Sequence, residues 1–467
     1  MLFTILIITY FLLAIVLVIG LLVNGMRPSK TLAWLLAIFT IPVGGILLYL
    51  MLGRNRRKNK LIKLKKSAFI SQHPSKIPSM VQTMPKYQKI VSLIYKNCSF
   101  PPTVNNRLRL LKDGKTTFES IFKALEGARS YIHIQYYIYE EGALATRLLE
   151  LFRKKISEGV VVRMIFDGIG SFSLSKSYIS QLKEAGVDVF PFLPFRFGRF
   201  LSSVNYRNHR KIIVVDGEVA FTGGINISDK YLKGDPVLGK WHDMHLQING
   251  PAVVNLDNVF SMDWNLVSEK RIAPIPAKDN DATEQGALVQ IVHSGPDDDF
   301  GTIELVYFSM INEAEKYVYI TNPYIIPSQA ILGALQTAAL SGIDVRLLIS
   351  EQADSKMVQW SVRSYFESLL RAGVKIYLFP DGFVHSKIII SDDNICTIGT
   401  ANIDVRSFEQ NYEVNAVIYD TTLTKTLKAD FMADCSKSKE LIRETYLNRP
   451  WLHKLREGVA KIFSPIL

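Results

Sequence analysis

His209-Arg-Lys211-Ile-Ile-Val-Val-Asp216, followed by Gly223-Gly224-Ile-Asn226, and His385-Ser-Lys387-Ile-Ile-Ile-Ser-Asp392, followed by Gly399-Thr400-Ala-Asn402, decide how this chain is read. Both copies obey one spacing, H-x-K-x4-D-x6-G-(G/T)-x-N. Side chains two apart on a strand share a face, so each copy sets an imidazole beside an ammonium. The Asp falls at the strand end in a turn, the glycines let backbone approach a ligand closely, and the Asn offers an amide. One such strand would read as a satisfied core histidine with a solvated lysine. Two with identical spacing read as a paired site.

Working outward, the two copies close two similar stretches. A helical pattern leads into a strand-like run in each, Glu119 to Ala128 into Tyr131 to Ile138 and Ile303 to Ala314 into Tyr317 to Ile325. Then come Glu158 to Phe166 against Ser341 to Ile349, and Glu184 to Phe190 against Arg371 to Tyr377. Apolar strands alternating with helices indicate βαβ units and a largely parallel sheet in each half, two halves making a pseudo-dimer in one chain. The first half carries an insert just before its histidine that includes Phe192-Leu-Pro-Phe-Arg-Phe-Gly-Arg-Phe200. It reads either as ordinary core and turn or as an amphipathic lip that dips toward lipid.

Two His, two Lys and two Asn around one point suit phosphoryl chemistry. Lys211, Lys387, Asn226 and Asn402 would surround and neutralise a phosphate, one imidazole would attack phosphorus, and the other would protonate the leaving oxygen. No cofactor and no metal is expected, because the lysines do what a divalent cation would do. A neutral imidazole nucleophile needs one tautomer, normally fixed by a carboxylate on its other nitrogen. Asp243 and Glu413 occupy matching places downstream of the two copies and are the candidates for that role, the alternative being surface carboxylates at strand starts.

The formal charge of +12 is concentrated. Residues 54 to 66, RNRRKNKLIKLKK, hold eight Lys or Arg, and the acid-free first 66 residues account for ten of the twelve net charges. A near-neutral body with one basic block suggests attraction to anionic lipid headgroups; a nucleic-acid groove would spread its charge over the body. Met1 to Val23 is uncharged and lacks the basic start of a signal peptide, and Thr31 to Gly53 is a second uncharged run. Runs of this length predict two transmembrane helices, with the basic side and all that follows in the cytoplasm. Cys98, Cys396 and Cys435 form no framework for disulfides or zinc.

The duplicated motif resembles the phospholipase D superfamily. The likeness runs through Asn208 to Lys211, Gly250 to Val253, Asp263-Trp264, Ser294 to Asp297, Asn322 to Pro327, Phe383 to His385 and Asn402 to Phe408. With the apolar start and the closing Arg449-Pro-Trp451 to Ser464-Pro465, it is similar to the bacterial cardiolipin synthases over essentially the whole chain. That resemblance implies an α/β, duplicated phospholipase D-like fold preceded by two transmembrane helices, in the bacterial cell membrane. It implies transfer of a phosphatidyl group between two phosphatidylglycerols through a phosphohistidine. The catalytic set it carries over is His209, Lys211, Asp216, His385, Lys387 and Asp392, with His209 as nucleophile and His385 as acid and then base. His242 departs from the family pattern, where Arg is expected.

The expected partners are phosphatidylglycerol and an anionic bilayer, with no nucleic acid; oligomeric state is left open. The expected domains are a membrane hairpin at 1–53, a basic segment and linker at 54–104, a first half at 105–267, a linker at 268–288, a second half at 289–437 and an amphipathic tail at 438–467. The tail reads as a core-docking helix or as an interfacial one. A phospholipase D or phosphatidylserine synthase, a membrane-tethered nuclease and a non-catalytic lipid scaffold are the competing functions. The near-neutral body argues against the nuclease and the filled His, Lys and Asp positions against the scaffold.

Overall fold

In a computed structural model the chain is described over residues 2–23, 28–41, 43–49, 85–194, 206–275 and 286–464. It divides into two compact units, Met1–Lys63 with Phe195–Asn205, and Leu64–Pro194 with Tyr206–Leu467. The basic block 54–66, and the insert from residue 195 on, lie outside the described residues.

The first unit contains helices Leu2–Val23, Pro28–Thr40 and Gly44–Leu48. Thr9 and Thr40 donate their hydroxyls to the carbonyls of Ile5 and Leu36, which satisfies them within their own helices. The Tyr10 hydroxyl donates to the Ile38 carbonyl at 2.6 Å, and Ala14, Leu17, Leu21, Ile38, Ile46 and Tyr49 form a small core. Among the described residues no helix is long and apolar enough to cross a membrane, which corrects the expectation of two transmembrane helices. The second run shows the physical cause. Its helix stops at Thr40, Val43 takes a left-handed φ of 64°, and a new helix starts at Gly44. Thirteen helical residues rise only about 20 Å, short of the ~30 Å of a hydrocarbon core.

Among the described residues the second unit is built on one 16-stranded sheet. In the first half Tyr131–Tyr136, Val161–Asp167 and Asp188–Phe192 are parallel, with helices Ala143–Ser157 and Lys176–Glu184 as their crossovers. In the second half Tyr317–Thr321, Asp344–Ser350 and Lys375–Phe379 are parallel, joined by helices Gln329–Leu340 and Lys356–Ala372. The remaining strands correct the expectation of largely parallel halves. Ile212–Val215 runs antiparallel to Tyr131–Tyr136, and Val219–Gly223 and His245–Asn249 continue antiparallel. For Val219–Gly223 the cause lies in the motif's own turn. Asp216 and Gly217 adopt φ of 53° and 68°, so the chain reverses at once and the next strand must be antiparallel.

The halves are joined by hydrogen bonds across the sheet. Thr103–Leu111 pairs with His245–Asn249 on one side and Ala287–Ser294 on the other, and Ala287–Ser294 pairs in turn with Asn411–Tyr419. One apolar cluster accordingly draws Ile212, Val214 and Leu246 from the first half and Val289, Ile389 and Val417 from the second. The motif strands Ile212–Val215 and Ile388–Ser391 are β-branched at nearly every position and buried throughout, as strands covered on both faces must be.

Candidate active site

Each histidine lies just beyond a two-residue strand that pairs, in parallel, with a segment of the opposite half. Arg207 and Asn208 pair with Asn411 and Tyr412, while Phe383 and Val384 pair with Trp241 and His242. Continuing both registers by one residue sets His209 against Glu413 and His385 against Asp243. The contacts follow: His209 Nδ1 lies 3.0 Å from both carboxylate oxygens of Glu413, and His385 Nδ1 lies 2.7 Å from Asp243 Oδ2. The pairing is therefore crossed, each half orienting the other half's imidazole. The backbone N–H of His209 donates to the Tyr412 carbonyl and that of His385 to the His242 carbonyl, fixing both residues at the seam.

A carboxylate on Nδ1 holds the proton there and leaves Nε2 with its lone pair. Burial lowers His209 to about 4 and His385 to about 3, with the facing carboxylates opposing and the lysines adding to the shift, so both rings are neutral at pH 7. Burial pushes Glu413 and Asp243 upward, but His209 and His385 respectively, together with the lysines, outweigh it and hold both below the usual carboxylate range. Burial and the charge of Lys387 bring Lys211 down to about 7; burial brings Lys387 to about 8 against the opposing pull of Asp243 and Glu413. Two mutually repelling buried ammonium groups form a site that an anion would relieve. Each lysine also donates to the carbonyl of its own histidine, Lys211 to His209 at 2.9 Å and Lys387 to His385.

The other expected residues are placed as follows. Asn226 accepts from the Ile138 N–H and donates to the Tyr231 hydroxyl, and the buried Asn402 Oδ1 has no partner among the described residues. Asp216 and Asp392 are not with the histidines but at the far ends of the motif strands. Asp216 accepts from the N–H groups of Arg129, Ser130 and Tyr131, and Asp392 from those of Glu315, Lys316 and Tyr317 and from Lys86 Nζ. Each clasps the segment that enters the first parallel strand of its half. His242, the departure noted in the sequence, bonds Asp434 at 2.9 Å; burial alone would lower its pKa, but Asp434 outweighs this and raises it.

Several residues of the site escape a reading of the sequence. The Tyr231 hydroxyl lies 3.3 Å from His385 Nδ1, and Thr400 donates to Glu413 Oε2 at 2.6 Å. The variable place in G-(G/T) was the available signal for the latter. At the matching position a Cβ on Gly224 would sit 2.0 Å from Asp243 Oδ1, so glycine makes room for one carboxylate where threonine bonds the other. Beneath His209, Arg210 donates to Asp263 at 2.7 Å and to the Glu413 carbonyl, and Asn208 donates to Asp263. Ser386 stands where Arg210 does in the other half. Among the described residues no three His, Cys, Asp or Glu side chains converge as a metal site.

The family described as "Cardiolipin synthase, PLD-like domain" matches residues 121–264 and 307–435, and the phospholipase D-nuclease N-terminal family matches residues 11–54. Over 453 residues the chain is 42% identical to the cardiolipin synthase of Halalkalibacterium halodurans, covering 94% of this chain and 90% of that protein. It is 37% identical over 452 residues to the major cardiolipin synthase of Bacillus subtilis, covering 94% of each. Among solved structures, the phosphatidylserine synthase of Haemophilus influenzae superposes with a TM-score of 0.61 at 14% identity, over 82% of this chain and all of that one. The last likeness concerns the fold alone.

Proposed function

The chain belongs to the cardiolipin synthase family of phospholipase D-like proteins, and from that premise we propose that it joins two phosphatidylglycerols into cardiolipin through a phosphohistidine on His209. It is a phosphatidyltransferase. The observation that carries the mechanism is the crossed pairing of His209 with Glu413 and of His385 with Asp243, around two buried lysines.

In the first step His209 Nε2 attacks phosphorus and the bond from phosphorus to the headgroup glycerol oxygen breaks. His385 gives that oxygen its proton, and free glycerol leaves. A protonated His385 requires the bound phosphodiester, whose negative charge offsets Lys387 and raises the imidazole's proton affinity. In the second step neutral His385 takes a proton from the headgroup hydroxyl of a second phosphatidylglycerol, whose oxygen attacks phosphorus and expels His209. Lys211 and Lys387, with the Asn402 amide, face the charge that grows on the phosphoryl oxygens in both steps. Asp216 and Asp392, carried over from the family motif, are read here as holding the motif strands in place.

The reaction is expected at the cytoplasmic face of a bacterial membrane, supported by the basic block 54–66 and its attraction to anionic headgroups. The test is thin-layer analysis of labelled phosphatidylglycerol incubated with membranes holding the protein. Cardiolipin and glycerol in equal amounts, with no nucleotide-activated lipid added, support the reading. Cardiolipin that appears only with such a lipid overturns it.

A further inference from the structure

The C-terminal helix Trp451–Ile462 packs with its polar side inward. Glu457 and Ala460 are its buried residues, whereas Trp451 is 69% and Ile462 74% exposed. The inward side is held by polar contacts. Arg449, just ahead of the helix, bonds Glu457 at 2.6 Å and Glu367 at 3.0 Å, Tyr446 bonds Glu457, and the hydroxyls of Ser464 and Ser361 lie 2.9 Å apart. At 100° per residue, Trp451, Leu452, Leu455, Val459, Ile462 and Phe463 fall within about 120°, one continuous outward stripe. A helix recruited only to finish the core would present this face to the protein and Glu457 to water.

We propose that this stripe is a docking surface for the anionic lipid bilayer that supplies the substrate. Charge complementarity selects that occupant. Lys454 and Arg456 border the stripe on its two sides and are exposed, Arg456 and Lys461 reaching over the rings of Trp360 and Tyr365, while the helix's one acid, Glu457, is buried against Arg449. Such a helix lies in the interface with its apolar face in the acyl boundary and its cations among headgroups, Trp451 being suited to that depth. The helix is also tied to an element that borders the site. Ser464 meets Ser361 on helix Lys356–Ala372, which begins two residues after Asp354; Asp354 accepts from the Tyr324 hydroxyl at 2.6 Å and its charge acts on Lys387. The proposal rests on the lipid-transferring reading and adds where the catalytic unit touches the lipid surface.

The test uses the full chain with Leu455→Cys carrying an environment-sensitive fluorophore, the native cysteines being buried, and Lys115→Cys as a control on an exposed helix position. With phosphatidylglycerol vesicles the label at 455 is expected to shift to the blue and be quenched by lipid-borne quenchers, while the label at 115 stays aqueous. Vesicles of phosphatidylcholine should give a weaker response. Leu455→Asp with Val459→Asp should lower cardiolipin formation from vesicles at least about tenfold. It should leave turnover of short-chain, monodisperse phosphatidylglycerol unchanged. A label at 455 that stays aqueous while vesicles are converted to cardiolipin overturns the proposal and leaves the enzymatic reading intact. Equal loss on both substrates, or shielding of the label by a second copy without lipid, also overturns it. Lipid contact at 455 by a protein that forms no cardiolipin would instead sustain the docking and remove the enzymatic reading.

Discussion

The crossed pairing makes Asp243→Asn and Glu413→Gln unequal in a specific way. Either change keeps side-chain volume and removes one buried negative charge beside an imidazole. A charge-assisted hydrogen bond to a buried partner is worth about 1.5–3 kcal/mol, so its loss alone costs about 10- to 150-fold in rate. An amide that offers its N–H to Nδ1 also stabilises the wrong tautomer, which raises the loss toward about 10⁴-fold, as in Ser-His-Asp enzymes. On phosphatidylglycerol both variants should fall in this range. With a nitrophenyl phosphodiester, whose leaving group needs no proton, they should separate. Asp243→Asn, which disables His385, should form the phosphohistidine and accumulate it, because deprotonation of the acceptor is then slow. Glu413→Gln, which disables His209, should form little. The adduct can be followed by rapid quench and mass analysis of the peptide containing residue 209. His209→Ala and His385→Ala supply the reference phenotypes. If Asp243→Asn behaves like His209→Ala, each carboxylate serves its own half and the crossed reasoning is wrong, whichever histidine is the nucleophile.

Gly224→Ala should reproduce the Asp243→Asn phenotype, since its Cβ would displace the Asp243 carboxylate; normal protonation of leaving glycerol in that variant would contradict the packing. Asp216→Ala should cost about 2–4 kcal/mol of stability by removing three hydrogen bonds to a carboxylate, read as a lower denaturant midpoint, while the folded fraction still forms phosphohistidine. In the free enzyme Lys211 and Lys387 lose their protons as pH rises through about 7 and 8, so kcat/KM should fall there. Bound phosphate raises both pKa values, so kcat should persist to higher pH; coincident declines would show that the lysines do not face the phosphate.

The histidines, lysines and repeat were legible because their signal is local: spacing within 18 residues, His209 to Asn226 and His385 to Asn402, stated twice. The crossed carboxylates were legible as Asp243 and Glu413 but not as pairs, because the partner of His209 is 204 residues away and is chosen by strand register. The antiparallel turn at Asp216-Gly217 was present in the sequence, yet βαβ alternation ahead of it dominated the reading. In the first unit, counting uncharged residues weighed the length of the run above its break, which the structure puts between Thr40 and Gly44, where Val43 takes a positive φ. For the tail, spacing disclosed an amphipathic helix but not which face the protein would keep, because that depends on Arg449 reaching Glu457 and Glu367.

Glycine at 224 and threonine at 400 carry one further consequence. In a symmetric dimer of single halves, one codon would have to serve both positions, and any change helping one histidine would be imposed on the other. Fusion of the halves into one polypeptide, stitched through Thr103–Leu111, removes that constraint. Asp243 against Glu413, Gly224 against Thr400 and Arg210 against Ser386 are places where the two copies have drifted apart while the geometry that relates them has stayed. A reaction that asks one imidazole to bond phosphorus and the other to ferry protons rewards such divergence, and duplication within a single reading frame makes it heritable.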